Sequence, residues 1–347
     1  MLMAVLNSGY NYPYFLSIVF SEEKGGMQEV APNIFMITEK GAMGALMPPV
    51  NLYVLAGSDG LVFDTGYGRK AILEHLAKEM ERIQAVMAAR GTPFAVRRAL
   101  PSHSHPDHFS GLGFLKKRFG IQSLLTPKMA VNLDPARYRR RALAYWKYDI
   151  GLRKKMTLTA YLAVIQSLLL GTTFIDRPDT FVEENSRLTI NDEPWHILPA
   201  PGHWDDHIVL YNEKRGVLFS GDTILRSITT WLGPPLSSIS AYTQTLERIL
   251  ALPKLDLILS AHGSPITEPR QRIRQILAHR AQRTADVLAV IAQTSGKGAT
   301  INEIAGALYR GENAQKRNIA DGWIILTLEE LEKKGKIRAK GKQFVAA

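Results

Sequence analysis

Short apolar runs that each end in an acidic or imidazole side chain recur along this chain. The polar residues at these ends include Asp64, Asp222 and His262. Runs of this length and composition are typical of buried strands. Strand ends and the loops after them are where α/β folds carry their chemistry. The pattern therefore predicts an α/β fold whose functional side chains follow its strands.

A denser motif, H-x-H-x-D-H, follows a strand predicted near residues 95–100. Its members are His103, His105, Asp107 and His108. Two imidazoles two residues apart project to the same side of an extended segment, and the Asp-His pair turns toward a second position close by. Three later residues complete the candidate set: His203, Asp222 and His262. Imidazole and carboxylate ligands without thiolate favour two Zn²⁺ ions, with Mn²⁺ or Fe²⁺ as alternatives.

This ordered set resembles the metallo-β-lactamase superfamily over roughly residues 28–266. The resemblance implies a four-layer αβ/βα sandwich with metals at one edge of its two sheets. It implies that the first metal is held by His103, His105 and His203. It implies that the second is held by Asp107, His108 and His262, with Asp222 bridging both. Asp64 then braces the metal loop through hydrogen bonds.

The same resemblance implies the mechanism. Two metal ions share a hydroxide and lower its pKa toward neutrality, so that it acts as a nucleophile. Asp222 fixes the separation of the metals, and Asp107 both binds a metal and orients the proton of the nucleophile. These two carboxylates are therefore the expected catalytic residues. His207, four residues after His203, is interpreted as a bracing or packing histidine rather than a ligand.

Patterning divides the chain into parts. Residues 1–26 are expected to be an extension that precedes the catalytic domain at residues 27–266. Within that domain, residues 128–175 predict a helical insertion with an apolar stripe and several arginines. We interpret the insertion as a lid over the site, and the alternative is a surface hairpin that only packs on the body.

Residues 270–347 differ in character from the rest. A capping box at Thr300 and Glu303 starts a helix, a second helix runs from Ala314 to Lys334, and a basic hairpin follows. Two helices and a hairpin are typical of a winged helix. The region carries fifteen Lys and Arg against seven Asp and Glu, in a chain of net charge +11. A nucleic-acid contact is one interpretation, and a docking or dimerisation element with a solvated basic rim is the other.

The substrate is less constrained than the metal site. The lid's apolar stripe and arginines favour an ester or thioester with a small anionic portion. The run from Pro201 to His207 and the C-terminal pattern resemble the branch with a mitochondrial metallo-β-lactamase-like endoribonuclease, so phosphodiester hydrolysis is the alternative. Glyoxalase II shares the metal motifs but not the tail. Trp204 stands where the endoribonuclease branch usually has a small hydroxyl residue. A third alternative is an iron-dependent redox protein of this fold.

Two absences in the composition add expectations. The chain has no cysteine, which removes the thiolate ligand of many true β-lactamases at the position of Asp222. Antibiotic hydrolysis is therefore a poor hypothesis. No apolar run reaches the length of a membrane span, and no clear secretory signal is present, so we expect a cytoplasmic protein. The sequence leaves the oligomeric state open.

Overall fold

The computed structural model describes residues 26–39, 48–138, 140, 171–175, 177–311 and 314–347. The strands are β1 (Met27–Ala31), β2 (Ile34–Thr38), β3 (Asn51–Leu55), β4 (Gly60–Phe63), β5 (Val96–Leu100), β6 (Gln122–Leu125), β7 (Thr180–Phe181), β8 (Arg187–Ile190), β9 (Glu193–Pro199), β10 (Ile208–Asn212), β11 (Val217–Gly221), β12 (Leu257–Ser260), β13 (Ile337–Lys340) and β14 (Gln343–Ala346). The helices are α1 (Lys70–Ala89), α2 (Pro106–Phe109), α3 (Leu112–Phe119), α4 (Pro127–Asn132), α5 (Ile239–Leu250), α6 (Pro269–Ala292), α7 (Ile301–Leu308) and α8 (Ala314–Lys333).

Two mixed sheets form the body of the protein. The first runs β1-β2-β3-β4-β5-β6-β7, antiparallel as far as β4 and parallel beyond it. The second runs β12-β11-β10-β9-β8, with β11 and β12 parallel and the other pairs antiparallel. Parallel neighbours place their carboxyl ends at the same edge of a sheet. The strands that precede the candidate ligands therefore end side by side.

Alternating side chains in the second sheet separate two cores. In β11, Val217 and Phe219 face the first sheet, whereas Leu218 points to the opposite side. Phe219 packs on Tyr53 and Phe63 of the first sheet, with ring centroids 5.1 and 5.3 Å away. This period of two is the pattern of a strand buried on both faces. The sheets consequently pack face to face.

Helices cover the outer face of each sheet. On the first sheet, α1 buries one stripe at helical spacing: Ile72, Leu76, Met80, Ile83 and Met87. On the second sheet, α5 and α6 pack over Leu218 and Ile258. The predicted four-layer αβ/βα sandwich is thus confirmed.

The C-terminal region contributes to the same core as the second sheet. Ile273 of α6 and Ile324 of α8 lie in one buried cluster with Leu218 and Ile258. The capping box predicted at Thr300 is present, and β13 and β14 form the predicted hairpin. The helices and hairpin have the expected order, but winged-helix function and the domain boundary near residue 270 stay predictions.

Two other predicted parts fall largely outside the described residues. The extension at residues 1–26 is described only at residue 26, and residues 139, 141–170 and 176 of the chain around the predicted lid are not described. The lid therefore stays a prediction. Across the described ranges, no helix combines the length and apolar character needed to cross a membrane.

Deleting residues 270–347 tests the domain boundary. We expect the remaining chain to lose cooperative folding, because the deletion strips α6 and α8 from the outer face of the second sheet and exposes Leu218 and Ile258. Circular dichroism during thermal unfolding measures this. A truncated chain that melts as sharply as the full chain would show that the C-terminal region is a separate domain.

Candidate metal centre

All seven predicted ligands lie together at the shared edge of the two sheets. They fall into two neighbouring groups, His103, His105, His203 and Asp222 in one, and Asp107, His108 and His262 in the other. The first motif follows β5 and continues into α2, while His203 follows β9, Asp222 follows β11 and His262 follows β12. Stretches far apart in sequence therefore supply one cluster.

The first group presents three imidazole nitrogens to one another. His203 Nε2 lies 3.2 Å from His103 Nε2 and 3.1 Å from His105 Nδ1. A tetrahedral ion with Zn–N bonds of about 2.05 Å would hold such nitrogens about 3.3 Å apart. The spacing of the three ring nitrogens therefore fits a zinc-sized cation.

The second group combines one carboxylate with two imidazoles. Asp107 Oδ2 lies 3.5 Å from His108 Nε2 and 3.6 Å from His262 Nε2. These separations leave room for an ion between the three side chains. The mixture of nitrogen and oxygen donors suits Zn²⁺ and also Mn²⁺ or Fe²⁺.

Asp222 lies between the groups. Its Oδ2 is 3.5 Å from His203 Nε2, and its Oδ1 is 3.3 Å from His262 Nε2. Asp222 Oδ1 and His108 Nε2 are both buried and lack a hydrogen-bond partner among the described residues. Buried polar atoms without partners are costly, so these two atoms also fit a bound cation. One carboxylate facing both groups matches the predicted bridging position.

Hydrogen bonds fix the direction of the second-group imidazole His108. Its Nδ1 lies 3.0 Å from Asp64 Oδ2, and Asp64 also accepts from the Ser102 backbone N–H at 2.6 Å. Asp64 is buried and holds a left-handed backbone with φ 61° at the end of β4. A carboxylate that accepts from Nδ1–H leaves Nε2 as the donor toward a metal. Asp64 thus occupies the predicted bracing position.

Backbone carbonyls orient two further imidazoles. His203 Nδ1 donates to Trp231 O at 2.7 Å and lies 2.9 Å from Thr230 Oγ1. His262 Nδ1 donates to Pro49 O at 2.6 Å. In both rings Nδ1 therefore carries a proton that points away from the cluster, and Nε2 faces the cluster.

His207 braces the cluster without joining either group. Its Nε2 accepts from the Asp222 backbone N–H at 3.1 Å, and its ring stacks on His103 with centroids 4.7 Å apart. Its Nδ1 faces Thr223 Oγ1 at 3.3 Å. The predicted bracing histidine is therefore found in contact with two of the seven candidate ligands.

Burial and neighbouring charges give the two groups opposite proton affinities. Burial lowers the pKa of His105 to about 3, with a further contribution from His203, and it lowers the pKa of His103 as well. Burial also opposes protonation of His262, but Asp222 and Asp107 outweigh it and raise its pKa to about 9. Neutral imidazole is the metal-binding form. The neutral imidazoles of the first group thus offer lone pairs to a metal, whereas the carboxylates beside His262 attract positive charge to the second group.

Aromatic rings flank the first group. The Trp204 ring lies 4.2 Å from the His105 ring, and its Nε1 donates to Ser104 Oγ at 3.0 Å. The Trp231 ring lies 6.4 Å from the His105 ring. Both indoles therefore lie near His105 and add apolar surface beside it.

A two-sheet sandwich with a histidine and aspartate cluster at its edge is an α/β protein with a candidate metal-binding site. The profile of the metallo-beta-lactamase superfamily matches residues 47–262, and the chain belongs to this family. Two solved structures share the fold. A beta-lactamase domain protein from Burkholderia ambifaria has a TM-score of 0.73 at 22% identity, covering 94% of this chain and 96% of its own. A family protein from Thermus thermophilus has a TM-score of 0.69 at 21% identity, covering 92% and 100%.

Curated relatives include named hydrolases. The chain is 24% identical to an atrochrysone carboxyl ACP thioesterase of Passalora fulva, over 96% of this chain and 86% of the relative. It is 25% identical to an acyl-coenzyme A thioesterase of Homo sapiens, over 58% and 67%. It is 30% identical to a beta-lactamase-like protein 2 homolog of Drosophila melanogaster over 44% of this chain, a match that spans about half of that relative. These relatives support a hydrolase.

Several supporting residues could not be found from sequence patterns. Thr230 and Trp231 orient His203 from a loop that has no strand or helix periodicity. Asn132 of α4 donates to both Asp205 and Asp206, and so ties the histidine loop to the start of the predicted insertion. The only signal for this contact was the Asp205-Asp206 pair, which has no fixed partner in the sequence.

Asp222 and His207 can be separated by mutation. We expect Asp222→Ala to reduce bound metal at both groups, because its two oxygens face both. His207→Ala should leave the stoichiometry intact and weaken metal affinity by about 10–100-fold, as is typical of groups that orient ligands. Elemental analysis and chelator competition measure the two effects. Equal metal loss in both variants would mean that His207 is itself a ligand.

Proposed function

We propose that this protein is a binuclear metal-dependent hydrolase that cleaves an ester or thioester. The observation that carries the proposal is the convergence of seven donors into two groups that share Asp222. In the ligand set we assign, His103, His105 and His203 hold one ion, Asp107, His108 and His262 hold the other, and Asp222 contacts both. Two bound divalent ions supply a water activated at neutral pH and an electrophile for the substrate oxygen.

In our proposal, the carboxylates of Asp107 and Asp222 orient the proton of the attacking water and balance the charge of the metals. Asp107 and Asp222 keep part of their side chains exposed, whereas His108 is fully buried. Substrate therefore approaches from the carboxylate side in our proposal. Burial raises the pKa of Asp107, but His108 outweighs burial and holds the pKa well below its usual range. An ionised Asp107 can accept a hydrogen bond from the attacking water and orient it.

Two observations favour a thioester or ester over a phosphodiester. The indoles of Trp204 and Trp231 flank His105 and offer an apolar surface for an acyl group. The thioesterase activity named for two relatives agrees with this choice.

Endoribonuclease activity is the alternative. It would draw on the basic cluster at the C-terminus, where Arg338 and Lys340 of β13 are exposed. Phosphodiester binding through such side chains depends steeply on salt. An iron-dependent redox reaction is the third possibility raised by the sequence, and metal analysis separates it from hydrolysis.

The isolated protein should hold close to two metal ions per chain, mostly zinc. The reason is that the seven donors divide into groups of four and three, and Asp222 of the first group faces both. Elemental analysis of protein purified without chelator measures the content. A single iron per chain, with activity unchanged in His262→Ala, would contradict the binuclear hydrolase.

Trp204→Ser restores the small hydroxyl side chain and tests the acyl surface. We expect KM for a long-chain or aromatic acyl thioester to rise about tenfold, because burial of a few methylenes against the indole is lost. KM for an acetyl thioester should change little and serves as the internal control. The panel also includes bis-p-nitrophenyl phosphate and single-stranded RNA. Faster turnover of RNA than of every thioester would reject the proposed substrate class.

A further inference from the structure

A long loop connects Asp222 to the groups that orient His203. Residues 223–237, all of which the structure describes, form neither helix nor strand. The loop carries Thr230 and Trp231, which contact His203 Nδ1, and Ser237, whose Oγ donates to His203 O at 2.6 Å. The imidazole of His203 therefore takes its direction from a segment that has no strand ladder to hold it.

The C-terminal helix α6 holds this loop with one guanidinium. Arg272 Nε donates to Leu225 O at 2.7 Å, and its NH2 donates to Ile228 O at 2.8 Å. Arg272 is half-buried. A planar guanidinium that bonds two carbonyls fixes both their separation and their direction. It therefore determines the path of the chain just before Thr230.

Helix α8 approaches the loop just after Trp231. A Cβ built on Gly322 would lie 2.8 Å from Leu232 O and 3.1 Å from Gly233 Cα, so the loop backbone packs directly on the helix. Glycine destabilises a helix interior relative to alanine. The close approach gives a physical reason for glycine at this position. Thus α6 and α8 hold the loop on either side of the His203 contacts.

We infer that α6 and α8 clamp residues 223–237 and thereby position the His203 imidazole for the first metal group. This assigns the C-terminal region a role in the metal centre through the positioning residues Arg272 and Gly322. The inference rests on the proposed metal centre. Loss of the clamp frees the loop, moves the partners of His203 Nδ1 and misaligns Nε2 with His103 and His105.

Arg270 provides a matched control on the same helix. It also donates to backbone carbonyls, those of Leu250 and Leu252, but these lie at the end of α5 and just beyond it and do not contact the cluster. Arg270→Met and Arg272→Met therefore each remove a guanidinium that donates to backbone carbonyls, at two different segments of the chain. Thermal unfolding of the metal-free proteins measures the shared structural cost. Cobalt titration, followed by visible absorption and chelator competition, reads the ligand geometry directly.

We expect Arg272→Met to weaken cobalt binding at the tighter site about tenfold relative to Arg270→Met. Groups bonded directly to a ligand change affinity by about 10–100-fold, and Arg272 acts one link further away. The cobalt absorption bands should shift in Arg272→Met and keep their wild-type form in Arg270→Met. Arg272→Lys keeps a cationic donor but not the planar guanidinium, so it should recover part of the cobalt affinity.

Gly322→Ala decides the question if Arg272→Met does not fold. Its added methyl must displace the backbone at Leu232, so cobalt affinity should fall and the cobalt bands should shift in a variant that still folds. Wild-type cobalt affinity and bands in the folded variants would overturn the clamp while leaving the metal centre intact. Wild-type protein that binds no cobalt would instead reject the metal centre and the clamp together.

Discussion

His203 Nε2 lies within 3.1–3.2 Å of two other imidazole nitrogens, His103 Nε2 and His105 Nδ1, and this contact sets the constraint on which the rest of the centre depends. Like groups at this distance cannot all carry protons, and burial keeps them neutral. Their lone pairs are stabilised only by a shared cation. The surrounding hydrogen bonds place the proton on Nδ1 of two of the imidazole rings away from the cluster. Trp231 O serves His203 and Pro49 O serves His262 in this way.

The sandwich makes that convergence possible because its two sheets meet at the edge that carries the ligands. Ile208 N donates to Ser102 O at 2.8 Å, which links the start of β10 to the histidine motif. The end of β11 packs closely on Ser102 and His207 at Gly221. A Cβ on Gly221 would lie 2.7 Å from both Ser102 Cβ and His207 Nε2. A side chain at this position would separate the sheets and draw Asp222 away from His103. The close approach at Gly221 therefore brings the end of β11, and with it Asp222, near the histidine motif that follows β5.

The metal centre and the substrate surface are built from different parts of the chain. The ligands come from strand ends, whose positions are fixed by the sheet ladders. The surfaces around them come from loops, such as those carrying Trp204 and Trp231. Loops can vary in sequence, whereas the hydrogen-bond ladders of the sheets constrain where the ligands lie. One family can therefore support several hydrolytic reactions on the same metals. In our proposal, the indoles beside His105 contact the acyl group of the substrate.

From the sequence by itself, the sandwich and the seven candidate ligands were predicted, and Asp64 and His207 were proposed to brace them. This was possible because the motifs at the strand ends resemble those of a known family, and that resemblance implies a fold and a ligand set. Tertiary structure alone decided that Thr230 and Trp231 orient His203 and that Arg272 and Gly322 hold their loop. The Arg272 and Gly322 contacts join irregular backbone to helices about forty or more residues away, and the His203 contacts join two loops. Such bonds have no period or fixed spacing, so only the folded chain specifies them.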